Sequence, residues 1–249
     1  MLAIISLTNS CNYSCDYCIA TQCGKYSTNR AKVCSKSGVT EIRGCILDVD
    51  RLMSYLFQYV SEGSTIVLTG GEPMSVPYFK TLLDFVTQRY KVIIETNGSQ
   101  LFKMPILGKL KYGLELHIAW HPKMIMLEKF IANIKKIKFT GPTIKLVNIA
   151  GINDEIKGLH EEFEIIENNG NKPELGVRFW QDMMFIRPNG KVMECPGACA
   201  EQIGDVYQNT LNVMGMKNYY AKCSLQGHVF CNSILHSAGI APTLKLEAQ

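Results

Sequence analysis

No apolar run in this sequence reaches the length of a membrane span, which needs about 20 consecutive residues. No charge of one sign dominates either. Twenty-six basic and 22 acidic residues leave a net charge of +4, too mild to argue for nucleic acid. The local cluster Lys135, Lys136 and Lys138 reads as the solvated end of a helix, where cations meet the last carbonyls. Met1 leads straight into apolar residues, so no secretory or transit segment is expected and a cytoplasmic setting follows. Between Cys45 and Cys195 there is no cysteine at all. The ten thiols sit toward the two ends of the chain, as Cys11, Cys15, Cys18, Cys23, Cys34 and Cys45, then Cys195, Cys199, Cys223 and Cys231. Without a leader they do not read as a disulfide framework. In a reducing compartment they read as metal ligands, and their separation points to two metal centres on one scaffold.

At 249 residues with 47% hydrophobic composition, the chain fits one ordinary domain, or one domain with a small appendix. The densest chemistry is Cys11-Asn12-Tyr13-Ser14-Cys15-Asp16-Tyr17-Cys18, a C-x3-C-x2-C spacing directly after the strand candidate 2–8. Three close thiolates hold three irons of a cubane cluster and leave the fourth open to a substrate or cofactor. The alternatives are zinc, which takes four closed ligands in structural sites, or three unrelated thiols. Residues 19–47 have little periodicity and form a long connection of the kind used as a lid or binding loop. Cys23, Cys34 and Cys45 within it match no ligand spacing and read as free thiols, with a redox or ligand role open for Cys23.

From Ile46 onward helix and strand alternate. Met53, Leu56, Phe57 and Val60 predict one helix. Phe79, Leu82, Leu83 and Val86 predict the next. Leu127, Phe130, Ile131, Ile134 and Ile137 predict a third, and Ile156, Leu159, Phe163 and Ile166 a fourth, closed at Asn168-Asn169-Gly170. Residues 101–110 are a weaker candidate. Strands are expected at Thr65–Leu68, Val92–Thr96, Leu114–Trp120, Ile144–Ile149 and Val177–Trp180. Strict alternation argues for a parallel sheet with crossover helices. Six units are too few for an eightfold barrel, so the expected fold is α/β: a partial (β/α)6 barrel with a small cysteine-containing C-terminal extension. The expected boundaries are 1–181 for the barrel, with 19–47 as a loop insertion, and 182–249 for the extension. In such folds chemistry collects at the carboxyl ends of the strands. The cysteines, Gly70-Gly71-Glu72-Pro73, Thr96-Asn97-Gly98 and His121-Pro122 all fall there.

The cysteine spacing, with the aromatic Tyr17 before the last thiol, resembles the signature of the radical S-adenosylmethionine (radical SAM) enzymes. Gly70-Gly71-Glu72-Pro73 resembles the turn that in this family holds the SAM amino group; alone it would be any strand-ending turn, whose glycines let backbone approach closely. By the same resemblance Thr96 and Asn97 reach the ribose or carboxylate of SAM, although Asn97-Gly98 also reads as a plain Asx turn. His121 is placed to touch SAM or substrate, while His117 reads as packing. Asn148 and Asn153 bracket the strand end where relatives meet adenine.

In the tail, Phe185 to Cys195 reads as a hairpin turned at Pro188-Asn189-Gly190. With Ile203-Gly204-Asp205-Val206-Tyr207 and the later cysteines it resembles a shortened SPASM/twitch extension. The resemblance implies one auxiliary 4Fe-4S cluster on Cys195, Cys199, Cys223 and Cys231. A four-cysteine zinc site and buried thiols remain open. Glu194, Asp182 and Tyr207 read as surface residues. The family implies a SAM-binding 4Fe-4S cluster, SAM, an external one-electron donor of flavodoxin or ferredoxin type, and a peptide or small-molecule substrate. The expected function is an oxidoreductase-type radical SAM enzyme modifying a peptide, as in maturation of ribosomally made peptides. The alternatives are a sugar or nucleoside dehydrogenase or rearrangement enzyme, a glycyl-radical-enzyme activase, and a non-catalytic iron–sulfur electron carrier.

Overall fold

A computed structural model describes residues 1–15, 47–104, 110, 112–137, 142–149, 151–168, 183–193 and 202–212. Its frame is a 10-stranded sheet in the order β10-β9-β8-β7-β1-β2-β3-β4-β5-β6. The strands are β1 (Leu2–Ser6), β2 (Thr65–Thr69), β3 (Lys91–Thr96), β4 (Leu114–Ala119), β5 (Thr143–Ile149), β6 (Glu164–Asn168), β7 (Met183–Ile186), β8 (Lys191–Met193), β9 (Gln202–Asp205) and β10 (Thr210–Leu211). From β7 through β1 to β6 every pairing is parallel. At the other end β8, β9 and β10 are antiparallel. Strands buried on both faces need apolar residues at consecutive positions. Leu2-Ala3-Ile4-Ile5-Ser6 meets that demand, with all five residues buried.

The helices are α1 (Val49–Tyr59), α2 (Phe79–Thr87) and α3 (Leu127–Ile137). Asp48 caps α1, its Oδ1 accepting from the Arg51 amide at 2.9 Å. The buried Tyr90 hydroxyl closes the other end, donating toward the carbonyls of Leu56, which also accepts from the Val60 amide, and of Val60 itself. Leu52, Tyr55 and Leu56 of α1 join Leu82, Leu83 and Val86 of α2 and Phe130 and Ile134 of α3 in one core. That core covers the sheet face bearing Ala3, Ile5, Ile66, Leu68, Ile94 and Leu116. The α2 and α3 stripes are as expected from their spacing. In α1, Leu56 and the capping Val60 are buried and Met53 packs against the core, but Phe57 is 62% exposed and lies under the Arg89 guanidinium, which is 4.5 Å from the ring centroid.

The fourth helix expected from Ile156 to Ile166 is not formed. Asp154–Leu159 is a 3-10 stretch, and Glu164–Asn168 is β6, paired parallel with β5. Two adjacent β-branched residues, Ile165 and Ile166, suit a pleated surface better than a helix, and an available sheet edge decided the matter. The weak helix at 101–110 reduces to a 3-10 turn at Leu101–Lys103, with 105–109 outside the described residues. The strand expected at Val177–Trp180 also lies outside them, as does the 19–47 connection apart from Leu47.

The tail hairpin is present. Phe185 pairs with Met193 and Ile186 with Val192. The Arg187 carbonyl accepts from the Gly190 amide at 2.9 Å. Gly190 has φ +82°, and a Cβ there would strike the Tyr207 ring. The turn after β9 docks on α1: the Tyr55 and Tyr59 hydroxyls donate to the carbonyls of Thr210 and Asn209, at 3.1 and 2.7 Å. The sheet therefore runs unbroken across the boundary expected at residue 181.

Candidate functional site at the carboxyl ends of the strands

The chain leaving β1 and the chain leaving β2 remain joined beyond the sheet. Leu7 donates to Thr69, Gly71 to Thr8, and Glu72 to Ser10, at 3.0, 2.8 and 3.0 Å. This zipper explains the two glycines. Gly70 has φ +129°, a region side chains rarely enter, and a Cβ there would press on the Thr8 carbonyl. A Cβ on Gly71 would collide with the Ser10 carbonyl. What approaches these glycines is the backbone that carries Cys11.

Glu72 is wholly buried. Its Oε1 accepts from the Met74 amide at 3.1 Å, capping the 3-10 turn that starts at Pro73. Its Oε2 accepts from the Asn97 amide at 3.0 Å, and the Thr96 hydroxyl lies 2.8 and 2.9 Å from the two oxygens. A buried carboxylate is costly unless such donors surround it. Asn97 passes the connection onward. Its Oδ1 accepts from the Ser99 amide at 2.9 Å, an Asx turn, while its Nδ2 donates to Asn12 Oδ1 at 3.1 Å and toward Cys11 Sγ at 3.6 Å. Asn12 in turn donates to the Ser99 hydroxyl at 2.8 Å. The ends of β2 and β3 thus position the first cysteine.

Cys15 is reached from β4. His121 Nδ1 lies 3.3 Å from Cys15 Sγ. The Tyr13 ring meets the imidazole edge-on, with centroids 5.6 Å apart. Burial pushes the His121 pKa down to about 4, so the ring is neutral near pH 7. Tyr13 is a partner that sequence reasoning missed. Its phenol pKa is raised, by burial first and then by Glu72, Cys11 and Cys15, which marks it as central to the group. An aromatic residue between the first two thiols was the available signal.

Cys11 is exposed and Cys15 buried, and neither is in a disulfide. Cys18 and Tyr17 lie outside the described residues, as do Cys23, Cys34, Cys45, Cys195, Cys199, Cys223 and Cys231. Among the described residues no group of three metal-binding side chains occurs. The two placed sulfurs, each approached by nitrogen donors, are a donor set that suits an iron–sulfur cluster, whose thiolates commonly accept such bonds.

No family model matches the chain, and no curated protein matches it in sequence. Among solved structures it is similar to one described as hexahistidine-tagged anSMEcpe with bound AdoMet. The TM-score is 0.54 at 11% identity, covering 96% of this chain and 92% of that one. The two share a fold. The shared architecture is mixed α/β with a large parallel sheet, and no described helix is long and apolar enough to cross a membrane.

Other polar residues bond to the strands and to one another. Asn153 donates to the carbonyls of Trp120 and Val147 and accepts from the Ile149 amide, so it ties β4 to β5. Asn148, fully buried, donates to Asp154 at 3.3 Å. His117 is buried on the sheet face opposite the main core. There Glu115 receives Lys91 at 2.7 Å, His117 at 3.1 Å and Lys145 at 3.2 Å, and Lys145 also pairs with Glu164. Burial would raise the Glu115 pKa, but Lys91, His117 and Lys145 outweigh it and hold it down to about 2.

Proposed function

We propose that this protein is a radical SAM enzyme. The observation that carries the reading is the bonded chain from Glu72 through Asn97 to Cys11, which makes the Gly-Gly-Glu-Pro turn and the cysteine loop one unit at the strand ends. A fold shared with a protein solved with AdoMet supports it. Cys11, Cys15 and Cys18 would hold the cluster, and Gly70–Pro73, Thr96, Asn97, Tyr17 and His121 would surround SAM. Bound there, such a cluster with SAM would supply radical hydrogen abstraction from a substrate. This chain's residues supply the geometry. The zipper at Gly70 and Gly71 fixes the height of Cys11 above the sheet. Glu72 locks the loop after β3 to it, and the buried Cys15 is shielded from water.

The same reading takes β1–β6 as a partial barrel and the tail as a twitch-like extension. Cys195, Cys199, Cys223 and Cys231 would hold one auxiliary 4Fe-4S cluster. The electron donor is a flavodoxin or ferredoxin, the setting is cytoplasmic, and the reaction is an oxidative modification of a peptide. The test is anaerobic reconstitution followed by SAM and dithionite. Release of 5′-deoxyadenosine is expected, and its loss when Cys11, Cys15 and Cys18 are changed to Ala. About eight irons per chain are expected, and about four if the tail holds no cluster. Intact SAM beside a reduced cluster would mark an electron carrier instead.

A further inference from the structure

We propose that His121 is a positioning residue for Cys15, its Nδ1–H donating to the cysteine sulfur and so setting how readily a cluster on that sulfur takes up an electron. The inference rests on the radical SAM reading and goes beyond it, since it gives His121 a bond to the sulfur in addition to its place beside SAM. Nδ1 and Sγ are 3.3 Å apart, within reach for a bond to sulfur. A cluster thiolate offers only an acceptor, so the proton belongs on Nδ1.

The imidazole is held from several sides. Tyr13 packs edge-on against it from the cysteine loop. The His121 carbonyl accepts from the Met124 and Ile125 amides at 2.9 and 3.2 Å, closing a turn. The preceding Trp120 donates from Nε1 to the Ile125 carbonyl at 2.8 Å and accepts from Asn153. The backbone that carries the ring therefore cannot swing away from Cys15 without breaking the end of β4.

The two described thiols also differ in kind. Cys11 is exposed and is approached by the Tyr13 amide at 3.4 Å and the Asn97 amide group at 3.6 Å. Cys15 is 9% exposed. Bonds are stronger where water is excluded, so His121 is the donor with the larger leverage. Hydrogen bonds to cluster sulfurs stabilise the extra negative charge of the reduced state and raise the potential.

The experiment uses the full chain, anaerobically reconstituted with iron and sulfide, in the parental, His121→Phe and His121→Gln forms. Each is titrated with dithionite without SAM and followed by electron paramagnetic resonance, with iron content and circular dichroism recorded. His121→Phe is expected to hold its cluster with the reduction equilibrium shifted about tenfold toward the oxidised form, or about 59 mV lower for one electron. His121→Gln, which keeps an N–H, should recover at least half of the shift. Cluster loss in His121→Phe but not in His121→Gln also supports the bond. A parental potential in His121→Phe, or equal losses in both variants, overturns it while leaving the enzyme reading intact. A second measurement needs no folded variant: with 15N-histidine, the reduced parental cluster should show a histidine nitrogen coupling in its spin-echo modulation. Its absence overturns the proposal. A parental protein that binds no cluster overturns both this proposal and the radical SAM reading.

Discussion

Glu72 and Glu115 are both carboxylates withdrawn from solvent on the same sheet, and they are stabilised in opposite ways. Glu72, at the strand ends, has neutral donors placed by backbone and hydroxyl geometry. Glu115, lower on the opposite face, has the cations Lys91 and Lys145 together with His117. Neutral donors fix an acceptor's position closely, because two of them are turn amides and the third is the hydroxyl that ends β3. Cations on flexible stems balance charge and tolerate movement. The first arrangement suits a site, and the second suits a frame.

The largest effect should come from Glu72→Ala. It leaves the Thr96 hydroxyl and the Asn97 and Met74 amides without their buried acceptor, at about 1–3 kcal/mol each. A loss of about 3 kcal/mol or more in urea unfolding is expected, together with loss of iron binding. Gly71→Ala should follow, since its Cβ meets the Ser10 carbonyl. A loss of about 2 kcal/mol should accompany a marked fall in iron retained, because Ser10 directly precedes Cys11.

Glu115→Gln should cost only about 1–2 kcal/mol at pH 7 and, on the proposed function, leave dithionite-driven SAM cleavage within about twofold (an effect under about 0.5 kcal/mol). Its signature is acid behaviour. Glu115 has a folded pKa of about 2 against an ordinary value of 4.5. Its stabilisation is therefore complete above pH 4.5 and lost as pH falls toward 2; the variant should lack that component. His117 is lowered by burial from its ordinary 6.5, so it adds a separate loss as pH falls below that value. Thermal melts at neutral, mildly acid and strongly acid pH check both signs. If Glu115→Gln abolished SAM cleavage with the fold intact, the distinction between site and frame would fail. The smallest effect belongs to Phe57→Ala, outside both regions, which loses an exposed cation–π contact worth about 0.5–1 kcal/mol in the same urea unfolding.

What was legible in the sequence was local. The cysteine spacing and Gly70–Pro73 are contiguous signals, and the α2 and α3 stripes sit at one period throughout. Glu72 and the pair Thr96-Asn97 could each be singled out, but not as partners, because they stand at or just after the ends of different strands, β2 and β3, and only sheet register brings them near. Phe57 lies on the helix its spacing predicts but faces outward, because period alone does not say how far the buried stripe extends; Tyr55, with its hydroxyl bonded to the Thr210 carbonyl, meets the core. Ile166 fitted a helical period by coincidence, and the open edge of β5 claimed it. Asn153 stands at a strand end in the sequence, but its bonds to the Trp120 and Val147 carbonyls, which clasp two strand ends, are visible only in the fold.

The pairing of β1 with β7 has a consequence for synthesis. β1 leaves the ribosome long before β7, and β2 soon reaches one of its edges. The other edge waits for Met183–Ile186, so until then a strand rich in apolar residues presents an unpaired ladder to its surroundings. Such edges invite intermolecular pairing. A nascent chain stalled before residue 183 should therefore bind chaperones more strongly than one stalled after residue 212.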